Sequence, residues 1–491
     1  MMIRFLFVSA AVIFAGAAFC QGGTAKKPDG YSVQVKLQPY KNCWMYLGTY
    51  YAKNKILSDS AWLNDKGEGV FKGDKKLPQG IYFFVTPSHV LLFEILMDEM
   101  QHFSVTADSA HLENLTTEGS EDNAIFAGYS RFLSLIGPQL NALQSQLKAA
   151  KTKADSAAIQ QQLSAKNKEL NDFRDQLVKD HPGSMVADFF SAVKIPELKE
   201  WPKKADGKVD SLAAWRYMKE HFWDGVSFYD DKLVRTPFID AKLDDYYKYY
   251  VPQEPDSVIA EVNYMMLVSR TAPEMHRYLL GRFTDKYISP EVMGQDKVFL
   301  FLFNNYFSKG DTLWLNDKQK KFIFDRAYSL MANQLDEPAQ ELMLTDTAGR
   351  TVSLYKIKSP FTFVVFWDPT CGHCKIEVPQ LDSMYRAKWQ KEGVTIYSVN
   401  VNEKTFPEWK QFIKEHKLDG WFHVWQTKEA READEKAGRA NFRQLYDVFQ
   451  TPTMYLLDEN KNIIAKKLSL EQYDSIIDKK LKLKQSKSTN N

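Results

Sequence analysis

The chain has 491 residues, 44% of them hydrophobic and 26% charged, the balance of a soluble globular protein. That length exceeds one ordinary core, so two to four domains are expected. Lys and Arg number 64 against 62 Asp and Glu, a net charge of +2, which argues against nucleic acid as the main partner because phosphate neutralisation requires a clear basic excess.

Residues 1–20 read as an export signal peptide. Arg4 supplies the positive start, and Phe5 to Ala18 form an apolar run short for a membrane span. Ala18-Phe19-Cys20 places small side chains where a signal peptidase reads them, leaving Gln21 as the new N-terminus. A lipid anchor on Cys20 is the rival reading, disfavoured because bulky Phe19 stands where a lipobox wants a small residue. No other stretch is apolar for long enough to suggest an integral membrane span. The expected location is therefore periplasmic or extracellular. Of four cysteines, cleavage would remove Cys20 and leave Cys43, Cys371 and Cys374. A single close pair with one distant thiol is not a disulfide scaffold; the chain keeps its cysteines for chemistry. Cys43, beside Trp44, reads as a buried small hydrophobe.

Residues 31–118 alternate β-type runs (Tyr31 to Leu37, Gly67 to Lys72, Gly80 to Val85, Val90 to Ile95) with Gly/Asp/Lys/Asn clusters, predicting an antiparallel β domain. Residues 124–182 change texture: Leu143, Leu147, Ile159, Leu163, Leu170, Phe173 and Leu177 recur at helical spacing, and no Gly or Pro interrupts between Pro138 and Pro182. Long amphipathic helices are predicted there, with no chemistry. Residues 183–333 read as an aromatic-rich helical region punctuated by prolines, its rings filling a core rather than lining a ligand surface.

Residues 336–485 have an α/β rhythm. Glu341 to Leu344 and Thr351 to Leu354 flank an Ala348-Gly349 turn as a hairpin, and Phe361 to Trp367 is a continuous apolar run expected of a buried strand. Helices and strands then alternate: Val394 to Val401, Thr405 to His416, Trp421 to Trp425, a charged helix from Lys428, the pair Thr453 to Leu457 and Ile463 to Lys467, and a last helix from Ser469. The fold class is multidomain: an antiparallel β domain, a central α-helical region and a C-terminal α/β domain.

The chemistry concentrates in Trp367-Asp-Pro-Thr-Cys371-Gly-His-Cys374-Lys-Ile-Glu-Val-Pro379, where a buried strand gives way to a helix. Unpaired N–H groups and the macrodipole at a helix N-terminus favour an anion, so Cys371 ionises readily and is the candidate attacking thiolate. Cys374, one turn on, is placed to resolve a mixed disulfide on it. His373 would stabilise the Cys371 thiolate and make the pair more oxidising. Structural zinc needs a second ligand pair, for which the domain offers only His416 and His423; c-type haem needs His where Lys375 stands. No metal and no cofactor are expected, only the redox-active disulfide Cys371–Cys374.

The run Phe-Trp-x-x-x-Cys-x-x-Cys, with Pro379 in the following helix and Gln450-Thr451-Pro452-Thr453 before a strand, resembles the thioredoxin superfamily. The resemblance implies that Thr451 binds substrate through its backbone beside a cis-Pro452, which shields Cys371; Trp367 is expected to pack beside the thiols and is counted with the substrate-binding residues. Within the superfamily the TlpA/ResA-type branch of exported bacterial reductases is most similar, through the hairpin before the core strand and through Glu377. On one helix face with Cys374, Glu377 reads equally as the resolving thiol's proton carrier or as a solvated charge. Thioredoxins proper carry a buried Asp on the central strand where Val365 stands here. The front of the chain more loosely resembles the β domain and helical segment preceding such domains in Bacteroidota proteins. The expected partners are disulfide-bearing exported proteins and an electron donor. The competing reading is an envelope ligand-binding or scaffold protein with an accessory redox domain.

Overall fold

The computed structural model describes residues 30–489, with side-chain burial through residue 486; the signal-peptide reading and Cys20 lie outside the described residues. The chain divides into two compact units at Phe190.

In the first unit, strands β1 (Tyr31–Gln38), β2 (Cys43–Tyr51), β3 (Asn54–Leu63), β4 (Glu68–Gly73), β5 (Gly80–Val85), β6 (Leu91–Met97), β7 (His102–Asp108) and β8 (Thr116–Glu118) form two four-stranded sheets, ordered β4-β1-β7-β8 and β3-β2-β5-β6. All pairings are antiparallel except β1 with β7. Inward residues alternate along β1, with Val33, Val35 and Leu37 buried, as one solvated sheet face requires. Helix α1 (Glu121–Ala149) starts at Ser120, whose hydroxyl accepts from the Asn123 N–H. The Asn123 amide is buried and pairs with Leu96 of edge strand β6: Nδ2 donates to Leu96 O and Oδ1 accepts from Leu96 N, both at 2.8 Å. It thereby continues the ladder where the sheet ends. Helix α2 (Lys153–Asp180) packs on α1 through Phe132 and Phe173, stacked at 4.1 Å.

Helix α3 (Met185–Val193) leads into the second unit. There α4 (Ser211–His221), α5 (Ile239–Tyr249), α6 (Pro255–Val268), α7 (Pro273–Tyr287), α8 (Asp296–Asn305) and α9 (Asp317–Met331) make the helical segment. Pro255 and Pro273 begin helices, where a missing N–H costs nothing. Tyr246, Tyr247, Tyr278, Phe283, Tyr287 and Phe303 are buried, so the aromatic surplus does fill this core.

The α/β part follows: β9 (Met343–Asp346), β10 (Thr351–Ser353), β11 (Phe361–Trp367), α10 (Gly372–Met384), β12 (Val394–Asn400), α11 (Phe406–Glu415), β13 (Phe422–Trp425), α12 (Lys428–Lys436), α13 (Phe442–Leu445), β14 (Thr453–Leu457), β15 (Ile463–Lys466) and α14 (Leu470–Thr489). The strands form one seven-stranded sheet, β10-β9-β13-β12-β11-β14-β15. The three central strands β11, β12 and β13 are parallel, and β14 runs antiparallel beside β11. Gly349 turns the β9–β10 hairpin at φ +84°, a conformation side chains resist. Every residue of β11 is buried: Phe361, Phe363, Val365 and Trp367 face the core under α10, while Val364 and Phe366 face the opposite one.

Charged groups join the helical segment to the sheet. Lys466 Nζ on β15 donates to Asp296 Oδ2 and to the Asn333 carbonyl, both at 2.7 Å. Both ionic side chains are almost wholly buried, at 6% and 5% exposure. Asp447, after α13, has a fully buried carboxylate paired with Arg326 of α9 and with Lys467. Breaking a buried pair by removing one partner leaves a desolvated charge, so Lys466→Met should lower stability by about 3–5 kcal/mol. In urea unfolding followed by tryptophan fluorescence, Lys466→Met combined with Asp296→Asn should recover most of that loss.

Candidate active site

Strand β11 ends at Trp367, and a tight loop, Asp368 to Thr370, aims the chain into α10. Asp368 holds the loop. Its Oδ1 accepts from the Thr370 N–H at 2.8 Å and hydroxyl at 2.7 Å, and its Oδ2 from Asn402 Nδ2 at 2.9 Å. Its backbone carbonyl accepts from Cys371 N at 3.1 Å. Burial raises the Asp368 pKa, but the bonds from Thr370 and Asn402 and the nearby Arg443 outweigh it and hold the carboxyl below its usual value.

Cys371 is the N-cap of α10. A sulfur there faces the N–H groups that the first helical turn leaves unpaired. Its pKa is lowered to about 7. Burial is the largest single influence and works upward; it is outweighed together by hydrogen bonding with the Thr451 side chain, the Cys374 N–H, the Cys374 thiol and the His373 N–H. The Thr451 carbonyl opposes them: Sγ–H donates to it at 3.3 Å, which favours the thiol form. The balance favours the thiolate.

Cys374 has the reverse environment. It is completely buried in the core with Trp367, Val378 and Leu381. Desolvation, joined by the adjacent Cys371, pushes its pKa up to about 12. Both sulfurs are free thiols in this structure. Across from them the Thr451–Pro452 peptide is cis, and both residues are half-buried.

The structure therefore brings Cys371, Cys374 and Thr451 together, with Pro452 adjoining. The other expected site residues stand apart. His373 is exposed, and it is its backbone N–H, not its ring, that reaches Cys371. Glu377 is half-buried and, among the described residues, makes no hydrogen bond or ion pair. Trp367, expected at the substrate site, needs correction: it is fully buried, so a docked protein finds no surface on it. Its Nε1 donates to Ser398 Oγ at 2.7 Å, and its ring lies 5.1 Å from that of Phe412. It packs beside the thiols in their shared core, as expected. Ser398 lies between Trp367 and the half-buried His423, whose Nδ1 is 3.3 Å from the same hydroxyl and whose Nε2 is 2.7 Å from Leu418 O. Sequence reading missed this chain of hydrogen bonds. Its visible signal was the lone serine inside the apolar run of β12. Cys43 sits half-buried on β2, in the first unit.

The sheet order, the CxxC pair opening α10 and the proline loop facing it define a thioredoxin-like α/β domain. Residues 335–466 match the model of the AhpC/TSA family, and residues 151–330 match a domain of unknown function, DUF5106. The thiol–disulfide oxidoreductase ResA of Bacillus thuringiensis is 27% identical over 146 residues, which cover 28% of this chain and 76% of that protein. Among solved structures, a domain of a possible thiol–disulfide isomerase from Cytophaga hutchinsonii is 34% identical, covering 31% of this chain and 96% of that one, with a TM-score of 0.27. The thioredoxin domain of a thiol–disulfide oxidoreductase from Bacteroides vulgatus is 28% identical, covering 30% and 96%, with a TM-score of 0.26. Residues 335–466 are thus a thioredoxin-like domain, similar in sequence to the thiol–disulfide oxidoreductase ResA.

The thiolate fraction of Cys371 rises as pH climbs through its pKa. Its iodoacetamide alkylation rate, assigned by mass spectrometry, should therefore inflect at about pH 7. Cys374 should stay unmodified through neutral and mildly alkaline pH. An inflection near pH 9, the ordinary thiol value, would contradict the site geometry.

Proposed function

We propose that the protein is an exported thiol–disulfide oxidoreductase that reduces or isomerises disulfides of envelope or secreted proteins through Cys371 and Cys374. The observation carrying this reading is the placement of the two thiols: Cys371 partly exposed at the N-cap of α10, 3.3 Å from the Thr451 carbonyl, and Cys374 fully buried beneath it. That arrangement lowers the pKa of the first to about 7 and raises that of the second to about 12. At neutral pH, Cys371 is largely the nucleophilic thiolate and Cys374 a protonated thiol held in reserve.

The steps follow. The Cys371 thiolate attacks one sulfur of a substrate disulfide, and the other substrate sulfur leaves as a thiolate. Cys374, on losing its proton, attacks the Cys371 sulfur of the mixed disulfide, releases the second substrate thiol and closes the Cys371–Cys374 disulfide. Two electrons have passed to the substrate, so a dithiol donor must reopen the pair. In isomerisation the released substrate thiolate attacks a second disulfide of the substrate, and the thiolate freed there attacks the substrate sulfur of the mixed disulfide, expelling the Cys371 thiolate; no donor is consumed. Thr451 offers its backbone to the substrate chain, and Pro452 covers the sulfur of Cys371 on that side. Glu377 and water are the groups available to take the Cys374 proton, since Val365 occupies the position that could hold an internal carboxylate. The apolar leader within residues 1–20 supports export, and among the described residues no helix is long and apolar enough to cross a membrane.

Cys371→Ser should abolish turnover of a disulfide substrate, whereas Cys374→Ser should accumulate a covalent adduct that dithiothreitol releases. Non-reducing gel shift and intact mass read both outcomes. Retained turnover in the Cys371 variant would remove the reading and favour a ligand-binding or scaffold protein.

A further inference from the structure

Phe449 stands two residues before Thr451 and is 74% exposed, although Asp447, two residues earlier, is anchored by buried ion pairs. Isolated exposed rings are ordinary on protein surfaces. Phe449 is not isolated. It shares a cleft of about 440 Å³ with Phe322 of α9, 60% exposed, and with Val292 and Met293 before α8. One wall belongs to the helical segment and the other to the α/β domain. Gln450 lines the same cleft, which therefore reaches to within one residue of the carbonyl that touches Cys371 Sγ.

The cleft's floor carries charge already spent on internal pairs: Lys466 with Asp296, and Asp447 with Arg326 and Lys467. The Arg326 guanidinium also lies 5.2 Å from the Phe449 ring centroid, fixing that ring from behind. What remains open toward a ligand is more apolar than polar: the rings and the thioether, with Ser289, Glu291, Gln450 and part of Lys467 among them. An anion finds no free cation in the floor; a large apolar side chain finds rings and a thioether.

We propose that this cleft seats an aromatic or large aliphatic side chain of an extended polypeptide substrate, about two to four residues from the cysteine under attack. The proposal rests on the reading of Cys371 as nucleophile and adds what the helical segment contributes to it. Phe449 and Thr451 are two residues apart in the bent loop before β14, at most about 7 Å of chain, so a substrate strand aligned with Thr451 carries its neighbouring residues over the cleft. A small disulfide is too short to reach it. Unfolded or loosely folded proteins, whose apolar side chains are available, are the class selected.

The test uses the reduced full-length chain and short peptides bearing one cysteine as its mixed disulfide with thionitrobenzoate. Attack by Cys371 on the peptide sulfur forms the Cys371–peptide disulfide and expels thionitrobenzoate with the electron pair of the broken bond, which absorbance follows. Two peptide sets differ only in Phe or Ser placed about three residues from the cysteine, on either side. One Phe set should react about tenfold faster than its Ser counterpart at low peptide concentration. In the Phe322→Ser chain the preference should fall below about twofold. Equal rates for Phe and Ser peptides, or a preference that survives Phe322→Ser, would overturn the proposal. Failure of the unsubstituted chain to release thionitrobenzoate from any disulfide would overturn it differently, by removing Cys371 as nucleophile.

Discussion

The chemistry of this molecule depends on where one helix begins. Because α10 starts at Cys371, the sulfur of that residue meets the unpaired N–H groups of His373 and Cys374, while the next thiol falls inward onto the core. A start one residue later would move both sulfurs off these positions. Several features hold that start in place: the Asp368 cap and its bond from Asn402, the fully buried β11 before it, and the packing of Val378 and Leu381 beneath. Pro379 inside the helix removes one main-chain donor, yet the helix continues to Met384 because its inner face is buried.

The helical segment is part of the same physical unit as the thiol site, not a tethered neighbour. Two buried ionic contacts reach the α/β domain on either side of the proline loop: Asp447 before it and Lys466 after the strand that follows it. Buried ion pairs contribute little net stability compared with apolar packing, but they tolerate only one geometry. Here they fix the loop bearing Thr451 against α8 and α9, and so determine which surface a substrate meets beside Cys371. The match of residues 151–330 to a domain of unknown function thus coincides with a segment that builds one wall of the cleft next to the thiols.

How much was legible beforehand follows from which physical signals are local. The continuous apolar run of β11, the Gly349 turn and the amphipathic periodicity of α1 and α2 are each local patterns, and each named its element. Cys371 and Cys374 were visible because two residues between thiols at a strand–helix junction suits one kind of chemistry above others. Much of the aromatic wealth of the central region is core, as expected, but Tyr229, Tyr264, Phe322 and Tyr328 are exposed. Trp367 packs beside the thiols as expected but offers no surface to substrate, because strand parity sends its indole under α10 with Phe363 and Val365. Asp447, Arg326 and Lys466 gave no sequence signal at all. Each looks like an ordinary surface charge until folding across more than a hundred residues of chain brings its partner into contact.

The central claim is that Cys371 and Cys374 form a redox couple whose reduced state is favoured by the helix start. Equilibrating the protein with glutathione or dithiothreitol buffers, and counting free thiols in the Cys43→Ser chain, measures it directly. A pKa near 7 at Cys371 stabilises the dithiol form, so the couple should titrate as a two-electron process at or above about −270 mV, the value of thioredoxin itself. A pair that forms no disulfide at any poise, or one that resists reduction below about −300 mV as structural disulfides do, would contradict the account.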